Sequence, residues 1–164
     1  MRALVQRVRS ASVEVDGRVV AAIDRGQLVL LGVGRGDDES AADRLATKIV
    51  GLRIFPDDAL AMNRALGEIG GAILLVSQFT LYADCRRGRR PSFELAESPQ
   101  RAEELCRYFA TTLARLGAPP SEGVFGAHMV VRLENDGPVT IWLDSDELAG
   151  RGPRARDGQP PRKH

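Results

Sequence analysis

Hydrophobic and polar positions alternate along the first part of the chain with the two-residue period of β-strands. Residues 2–15 show this alternation, Asp16-Gly17 is a strong signal for a two-residue turn, and residues 18–23 alternate again. Residues 27–33 are apolar almost throughout, which is typical of a strand that is buried on both faces. The pattern therefore predicts a three-stranded meander.

Two later segments have apolar residues three and four positions apart, which is the spacing of amphipathic helices. The first helix can be capped by Asp38 or Ser40, and the second begins at Ser98 with Pro99 at its first helical position. Gly117 ends the second helix. The two apolar stripes consist of Ala42, Leu45, Ala46, Ile49 and Leu52, and of Ala102, Leu105, Cys106, Phe109, Ala110, Leu113 and Leu116.

Three further strands are predicted, one buried at residues 72–76 and two at 129–134 and 139–143, with residues 135–138 as their hairpin connector. The order β-β-β-α-β-α-β-β predicts a single α+β domain, with a largely antiparallel, barrel-like sheet and two main helices. This domain should span residues 1–147. Residues 148–164 contain five basic residues and one acidic residue among many Gly and Pro, and predict a disordered basic tail.

The composition limits the kinds of function. The chain has 164 residues, of which 43% are hydrophobic and 27% charged, and its apolar runs are too short to cross a bilayer. We therefore expect one cytoplasmic domain without a membrane partner. The two cysteines, Cys85 and Cys106, do not make a disulfide framework. Because His128 and His164 are the only histidines and no metal or nucleotide motif is present, we expect no metal, no cofactor and no imidazole base.

Polar side chains follow the buried strand 72–76 and surround one aromatic residue, in the order Ser77, Gln78, Phe79 and Thr80. Polar groups at the end of a core strand cost free energy unless they have partners, so this pattern is typical of the wall of a site. A hydroxyl could act as a nucleophile, or backbone N–H groups could stabilise an oxyanion. The alternative is that the hydroxyls only bind the backbone at the strand end.

A second candidate is the connector Asn135-Asp136-Gly137-Pro138, because Pro138 removes an N–H donor where a strand should begin. A Gly-Pro bond can be cis at a cost of about 0.5–1 kcal/mol. A cis bond would turn neighbouring carbonyl oxygens to the same side, as a rigid pair of acceptors. The alternative is a simple turn with a trans proline.

A third candidate is a basic loop beside Tyr82 and Phe93, formed by Arg86, Arg87, Arg89 and Arg90. Such a cluster can bind the phosphates of a nucleic acid. The alternative is a solvated loop without a ligand.

Together these segments resemble the D-aminoacyl-tRNA deacylases. Two stretches that are typical of this family are intact, Ser77-Gln78-Phe79-Thr80-Leu81-Tyr82 and Asn135-Asp136-Gly137-Pro138-Val139-Thr140. The likeness spans about residues 1–145, with shorter matches at 1–8, 52–56, 62–63, 88–93 and 125–129.

The resemblance implies that the protein hydrolyses the ester between a D-amino acid and the 3′ end of tRNA, and that it also acts on glycyl-tRNA. It implies a homodimer with the active site at the interface. A cis bond between Gly137 and Pro138 would reach into the partner's pocket and reject L-amino acids. The residues implied at the catalytic wall are Ser77, Gln78, Phe79 and Thr80, and the other substrate-binding residues are Phe125, Ala127 and Met129.

The family has been described with a threonine nucleophile at the position of Thr80 and also without a catalytic side chain. We expect attack by water, with backbone N–H groups near Phe79 and Thr80 as oxyanion donors and the 2′-OH of the terminal ribose assisting proton transfer. The arginines of the 86–90 loop would bind tRNA phosphates, and we expect no DNA partner. The alternatives are a non-enzymatic RNA-binding protein that uses this loop, and a general small-molecule esterase or thioesterase.

Overall fold

The computed structural model describes residues 1–86 and 88–151. The first strand, β1 (Arg2–Val15), forms a long hairpin. Its returning arm is divided into two strands, β2 (Arg18–Ile23) and β3 (Gly26–Gly32). Both pair antiparallel with the same edge of β1, β2 with its second half and β3 with its first half. The predicted meander is therefore wrong. Asp24 and Arg25 interrupt one long arm of the hairpin instead of reversing the chain.

The first residue of β3, Gly26, has a packing role. A Cβ atom at this position would overlap the main-chain oxygen of Ala72 on the neighbouring strand. The glycine thus allows two backbones to approach closely at the start of β3.

The main sheet is mixed and curls towards a barrel, because β2 at one end contacts β6 (Ala72–Ser77) and β7 (Ser121–Glu122) at the other. Strands β6 and β7 continue it beyond β3, and both pairings are parallel. The largely antiparallel sheet that was predicted is found at every pairing of β1, and the parallel pairings of β6 make the sheet mixed. Helices precede both β6 and β7 in the chain, and a helical crossover is the usual connection between parallel strands.

The last strand, β8 (Val130–Asp144), is one strand and not two. It pairs antiparallel with β1 on both sides of a bulge, from Arg2 opposite Asp144 to Glu14 opposite Val130. The predicted hairpin connector is therefore wrong. Between the pairs Gln6–Thr140 and Val8–Asn135, β8 contains more residues than β1. These extra residues are not paired with β1 and form a bulge, after which pairing with β1 resumes.

Helices α1 (Glu39–Val50) and α2 (Pro99–Arg115) confirm the two predicted helices, and a short α3 (Ser145–Leu148) follows β8. Asp38 caps α1 by accepting a hydrogen bond from Ala41 N at 2.8 Å. Ser98 precedes α2 as predicted, but its side chain makes no capping bond. Both long helices pack on one face of the sheet around a buried core that includes Leu45, Ile49, Phe55, Leu105, Phe109 and Leu113.

A second, smaller core is formed by other side chains of β1, β3 and β6. Its buried residues include Val8, Val13, Leu28, Leu74 and Val76. Strands β4 (Phe55–Pro56) and β5 (Met62–Arg64) form a separate hairpin. Within the described residues no helix has the length and apolar character needed to cross a membrane. Of the predicted disordered tail, residues 148–151 are described and Leu148 is the last residue of α3, while residues 152–164 lie outside the described part of the chain.

Candidate active site

A cleft of about 550 Å³ opens between the ends of β3 and β6, the start of α2 and the segment before β8. This volume is within the usual range for sites that bind small molecules or cofactors. Its walls are mostly apolar and include Val33, Val76, Ala102, Phe125 and Met129. Ala127 also lines the cleft, so the structure brings together all three residues of the 125–129 segment that were predicted to bind substrate.

The polar end of the cleft is formed where β6 stops. The strand ends at Ser77, Gln78 N donates to Leu31 O at 2.7 Å, and a 3₁₀ turn, Phe79–Tyr82, follows. Ser77, Gln78 and Phe79 line the cleft. Thr80 does not line it, and its hydroxyl accepts a hydrogen bond of 2.5 Å from the Gln78 amide. An amide N–H cannot take a proton from a hydroxyl, so this contact does not activate Thr80 as a nucleophile.

Cys106 of α2 lines the cleft as well, and burial raises the pKa of its thiol to about 12. The thiol is therefore protonated at neutral pH and is a poor nucleophile. Cys85 and His128 are exposed and do not line the cleft. Among residues 1–86 and 88–151, no group of three or more His, Cys, Asp or Glu side chains is arranged to hold a metal ion.

Aromatic rings lie at the mouth of the cleft, next to the arginine loop. The rings of Phe79 and Phe93 meet edge to face with their centroids 5.0 Å apart, and 57% and 38% of these residues remain exposed. The loop closes just before Phe93, because Asp84 and Ser92 exchange two backbone hydrogen bonds of 2.8 and 3.0 Å. Basic side chains on this loop are therefore held beside the cleft.

The arginines of this loop have different surroundings. Arg86 is held by the carboxylate of Asp84 through bonds of 2.9 and 3.0 Å, which also raise the pKa of its guanidinium. Arg89 and Arg90 are exposed. Arg87 lies outside the described residues.

Gly137 and Pro138 project on the bulge of β8, where both are exposed and their peptide bond is cis. Neither residue lines the cleft of its own chain. The side chain of Asn135 stabilises the bulge with two hydrogen bonds across it. Its Oδ1 accepts a hydrogen bond from Val139 N at 2.7 Å, and its Nδ2 donates one to Val139 O at 3.1 Å. Sequence analysis did not assign this structural role to Asn135.

Arg7 on β1 supports the same bulge and was also missed. Its Nε donates to Asp136 O at 2.8 Å, its Nη1 donates to Ile54 O at 2.5 Å, and it lies 3.4 Å from the Asp136 carboxylate. Arg7 is 9% exposed and follows Ala3 and Val5 on the buried face of the strand. A charged residue at a core position of an alternating strand was the signal that could have identified it.

The family model of D-Tyr-tRNA(Tyr) deacylase matches residues 4–144, which is most of the chain. The chain belongs to this family. The resemblance inferred from the two six-residue stretches is thereby confirmed, and with it membership of a family of hydrolases.

Individual members of the D-Tyr-tRNA(Tyr) deacylase family are similar along most of their length. The chain is 59% identical over 150 residues to the D-aminoacyl-tRNA deacylase of Thermomicrobium roseum, covering 92% of this chain and 97% of the relative. It is 61% identical over 145 residues to that of Roseiflexus castenholzii, covering 88% and 92%. A solved structure named c-Myc DNA Unwinding Element Binding Protein is 39% identical, with a TM-score of 0.83 and coverage of 88% and 98%.

Proposed function

We propose that this member of the deacylase family hydrolyses the ester of D-aminoacyl-tRNA and releases a D-amino acid and tRNA. The observation that carries the proposal is the cleft that ends at Ser77, Gln78 and Phe79 with a basic loop at its mouth. An apolar cleft suits the aminoacylated end of the substrate, and exposed arginines suit its phosphates. The names of the relatives support the same reaction. Aminoacyl-tRNA is the substrate of protein synthesis, so the proposal includes a cytoplasmic location.

The proposed active form is a homodimer in which the bulge of one chain enters the cleft of the other. The support is that Gly137 and Pro138 are exposed and do not line the cleft of their own chain. The strand that carries them also exposes large apolar side chains, Leu133 at 37% and Trp142 at 44%. Exposed apolar surface of this kind is typical of protein–protein contacts.

In this arrangement the main chain at Gly137 and Pro138 would bind the invariant parts of the substrate, its α-amine and its Cα–H. A preference of about 10⁴-fold for the D form over the L form requires a free-energy difference of about 5.5 kcal/mol. One hydrogen bond contributes about 1 kcal/mol, so exclusion of the L side chain by protein atoms must supply most of the difference. Glycine has no side chain to exclude, and we therefore propose that glycyl-tRNA is hydrolysed as well.

The proposed chemistry uses water as the nucleophile. Phe79 and Thr80 are the first residues of a 3₁₀ turn, so their N–H groups have no acceptor within the turn and can stabilise the oxyanion. Water adds to the ester carbonyl, the bond to the ribose 3′-oxygen breaks, and the 2′-OH relays the proton that the attacking water loses to that leaving oxygen. No side chain of the cleft is required as a base.

The test compares three substrates with the purified protein: D-Tyr-tRNA, L-Tyr-tRNA and a simple D-Tyr ester. We expect turnover of D-Tyr-tRNA alone. Salt-sensitive RNA binding without turnover would support the RNA-binding alternative, and cleavage of the simple ester would support a general esterase. A DNA duplex, added as a competitor at equal phosphate concentration, should leave the rate unchanged. Inhibition by the duplex would contradict the expectation that DNA is not a partner.

A further inference from the structure

Arg2, the first residue of β1, contacts the 3₁₀ turn that carries the proposed oxyanion donors. Its Nη1 donates to Leu81 O at 3.0 Å, and its guanidinium carbon lies 4.3 Å from the centre of the Tyr82 ring. Phe79 and Thr80, at the start of the same turn, are exposed. The position of the turn therefore depends on what holds Leu81 and Tyr82.

The same guanidinium also contacts the end of β8. Its Nε donates to Asp144 Oδ2 at 3.0 Å, and its carbon lies 5.5 Å from the centre of the Trp142 ring. Both residues follow the bulge with Gly137 and Pro138 on that strand. One side chain thus contacts both the turn at the polar end of the cleft and the end of the strand that carries the bulge.

Tyr82, on which the Arg2 guanidinium packs, is fixed in place by burial and by a hydrogen bond. It is 4% exposed, and its hydroxyl donates to Asp37 Oδ2 at 3.2 Å. The Asp37 carboxylate is fixed in turn by Gly34 N at 2.6 Å and by the Met1 amine at 2.5 Å. A Cβ atom at Gly34 would overlap the Tyr82 ring, so the ring packs directly against that backbone.

We propose that Arg2 is a positioning residue that fixes the turn at Phe79–Tyr82 relative to the end of β8. This inference rests on the proposed function, because it assigns the turn a part in hydrolysis. Arginine suits the role because its planar guanidinium presents several N–H donors in fixed directions and packs on aromatic faces. Loss of the side chain leaves the apolar walls from α2 and residues 125–129 in place and allows the turn to shift.

The test measures single-turnover hydrolysis of D-Tyr-tRNA by Arg2→Met, Arg2→Lys and Tyr82→Phe. The matched control is Arg107→Met, which removes an exposed arginine that pairs with Glu103 on α2. We expect Arg2→Met to lower the maximal rate constant by roughly tenfold to a hundredfold, since a displacement of about 1 Å can have that effect. Arg2→Lys keeps the charge and should recover part of the rate.

The half-saturating enzyme concentration should stay within about twofold of wild type, because the residues that bind the substrate are intact. Melting curves establish that each variant is folded. If Arg2→Met does not fold, Tyr82→Phe, which removes the hydroxyl that binds Asp37, tests the turn instead: the rate should fall severalfold, and the wild-type rate would overturn the proposal. A folded Arg2→Met with the wild-type rate, or one that is changed only in half-saturation, would overturn the proposal.

A second readout does not depend on activity. Trp142 is the only tryptophan in the chain, so fluorescence reports directly on its contact with Arg2. The emission should change in Arg2→Met and not in Arg107→Met, and an unchanged Arg2→Met spectrum would contradict the contact. Wild-type protein that does not hydrolyse D-Tyr-tRNA would instead contradict the proposed function.

Discussion

Replacing Arg7 by Met is the most direct test of what supports the bulge of β8. The guanidinium donates two hydrogen bonds to main-chain oxygens, those of Asp136 and Ile54, and lies 3.4 Å from the Asp136 carboxylate. Hydrogen bonds from a charged group contribute about 1.5–3 kcal/mol each. The Asp136 side chain stays 25% exposed, so water can replace part of the lost contact. The two bonds together therefore contribute about 3–6 kcal/mol, and we expect a loss of about 3 kcal/mol in the free energy of unfolding, at the lower end of this combined range.

Arg9 offers a matched control, because it lies at the same distance, 3.4 Å, from the Asp136 carboxylate but is 76% exposed. Arg9→Met should change the free energy of unfolding by at most about 0.5 kcal/mol, as is usual for exposed ion pairs. The assay is urea unfolding, with equal m-values required for the comparison. Hydrolysis of D-Tyr-tRNA should also fall in Arg7→Met alone. Equal unfolding midpoints for the two variants would refute the assignment of Arg7 as the support of the bulge.

Three further outcomes follow from the site. Single-turnover hydrolysis by Thr80→Ala should stay within about tenfold of wild type, and a loss of several orders of magnitude with binding intact would instead establish a threonine nucleophile. Arg89→Ala combined with Arg90→Ala should weaken tRNA binding and reduce the slope of log K against log salt by roughly one to two, whereas an unchanged slope would argue against phosphate contacts. The pKa of Cys106 is raised from 9.0 to about 12, so its contribution to stability is complete below pH 9 and is lost as the pH rises towards 12. Cys106→Ala should make unfolding less dependent on pH in that interval, and an identical dependence would contradict the raised pKa.

Sequence patterns predicted the individual strands and helices of this fold better than they predicted which strands pair with each other. The alternation in residues 2–15 predicted β1, and the apolar stripes predicted α1 and α2. The break between the second and third strands and the connector around Pro138 were both interpreted as chain reversals. A glycine that admits a neighbouring backbone and a bulge within a paired strand have the same local composition as a turn. Only long-range pairing with β1 distinguishes them.

For the candidate site, too, local motifs were predicted and contacts between distant parts of the chain were not. The two six-residue stretches identified the residues at the end of β6 and on the bulge of β8 without the structure. The sequence could not show that Thr80 lies outside the cleft lining or that Cys106 contributes to it. The hydrogen bonds of Arg2 and Arg7 join residues 47 or more positions apart, and such distances in the chain leave no local pattern.

The bulge of β8 departs from β1 and rejoins it, with paired residues on both sides. Insertions or deletions confined to residues 136–139 would therefore leave the alignment of the flanking segments unchanged. The ladder between β1 and β8 thus permits a change in the length of this segment without a shift in register on either side of it.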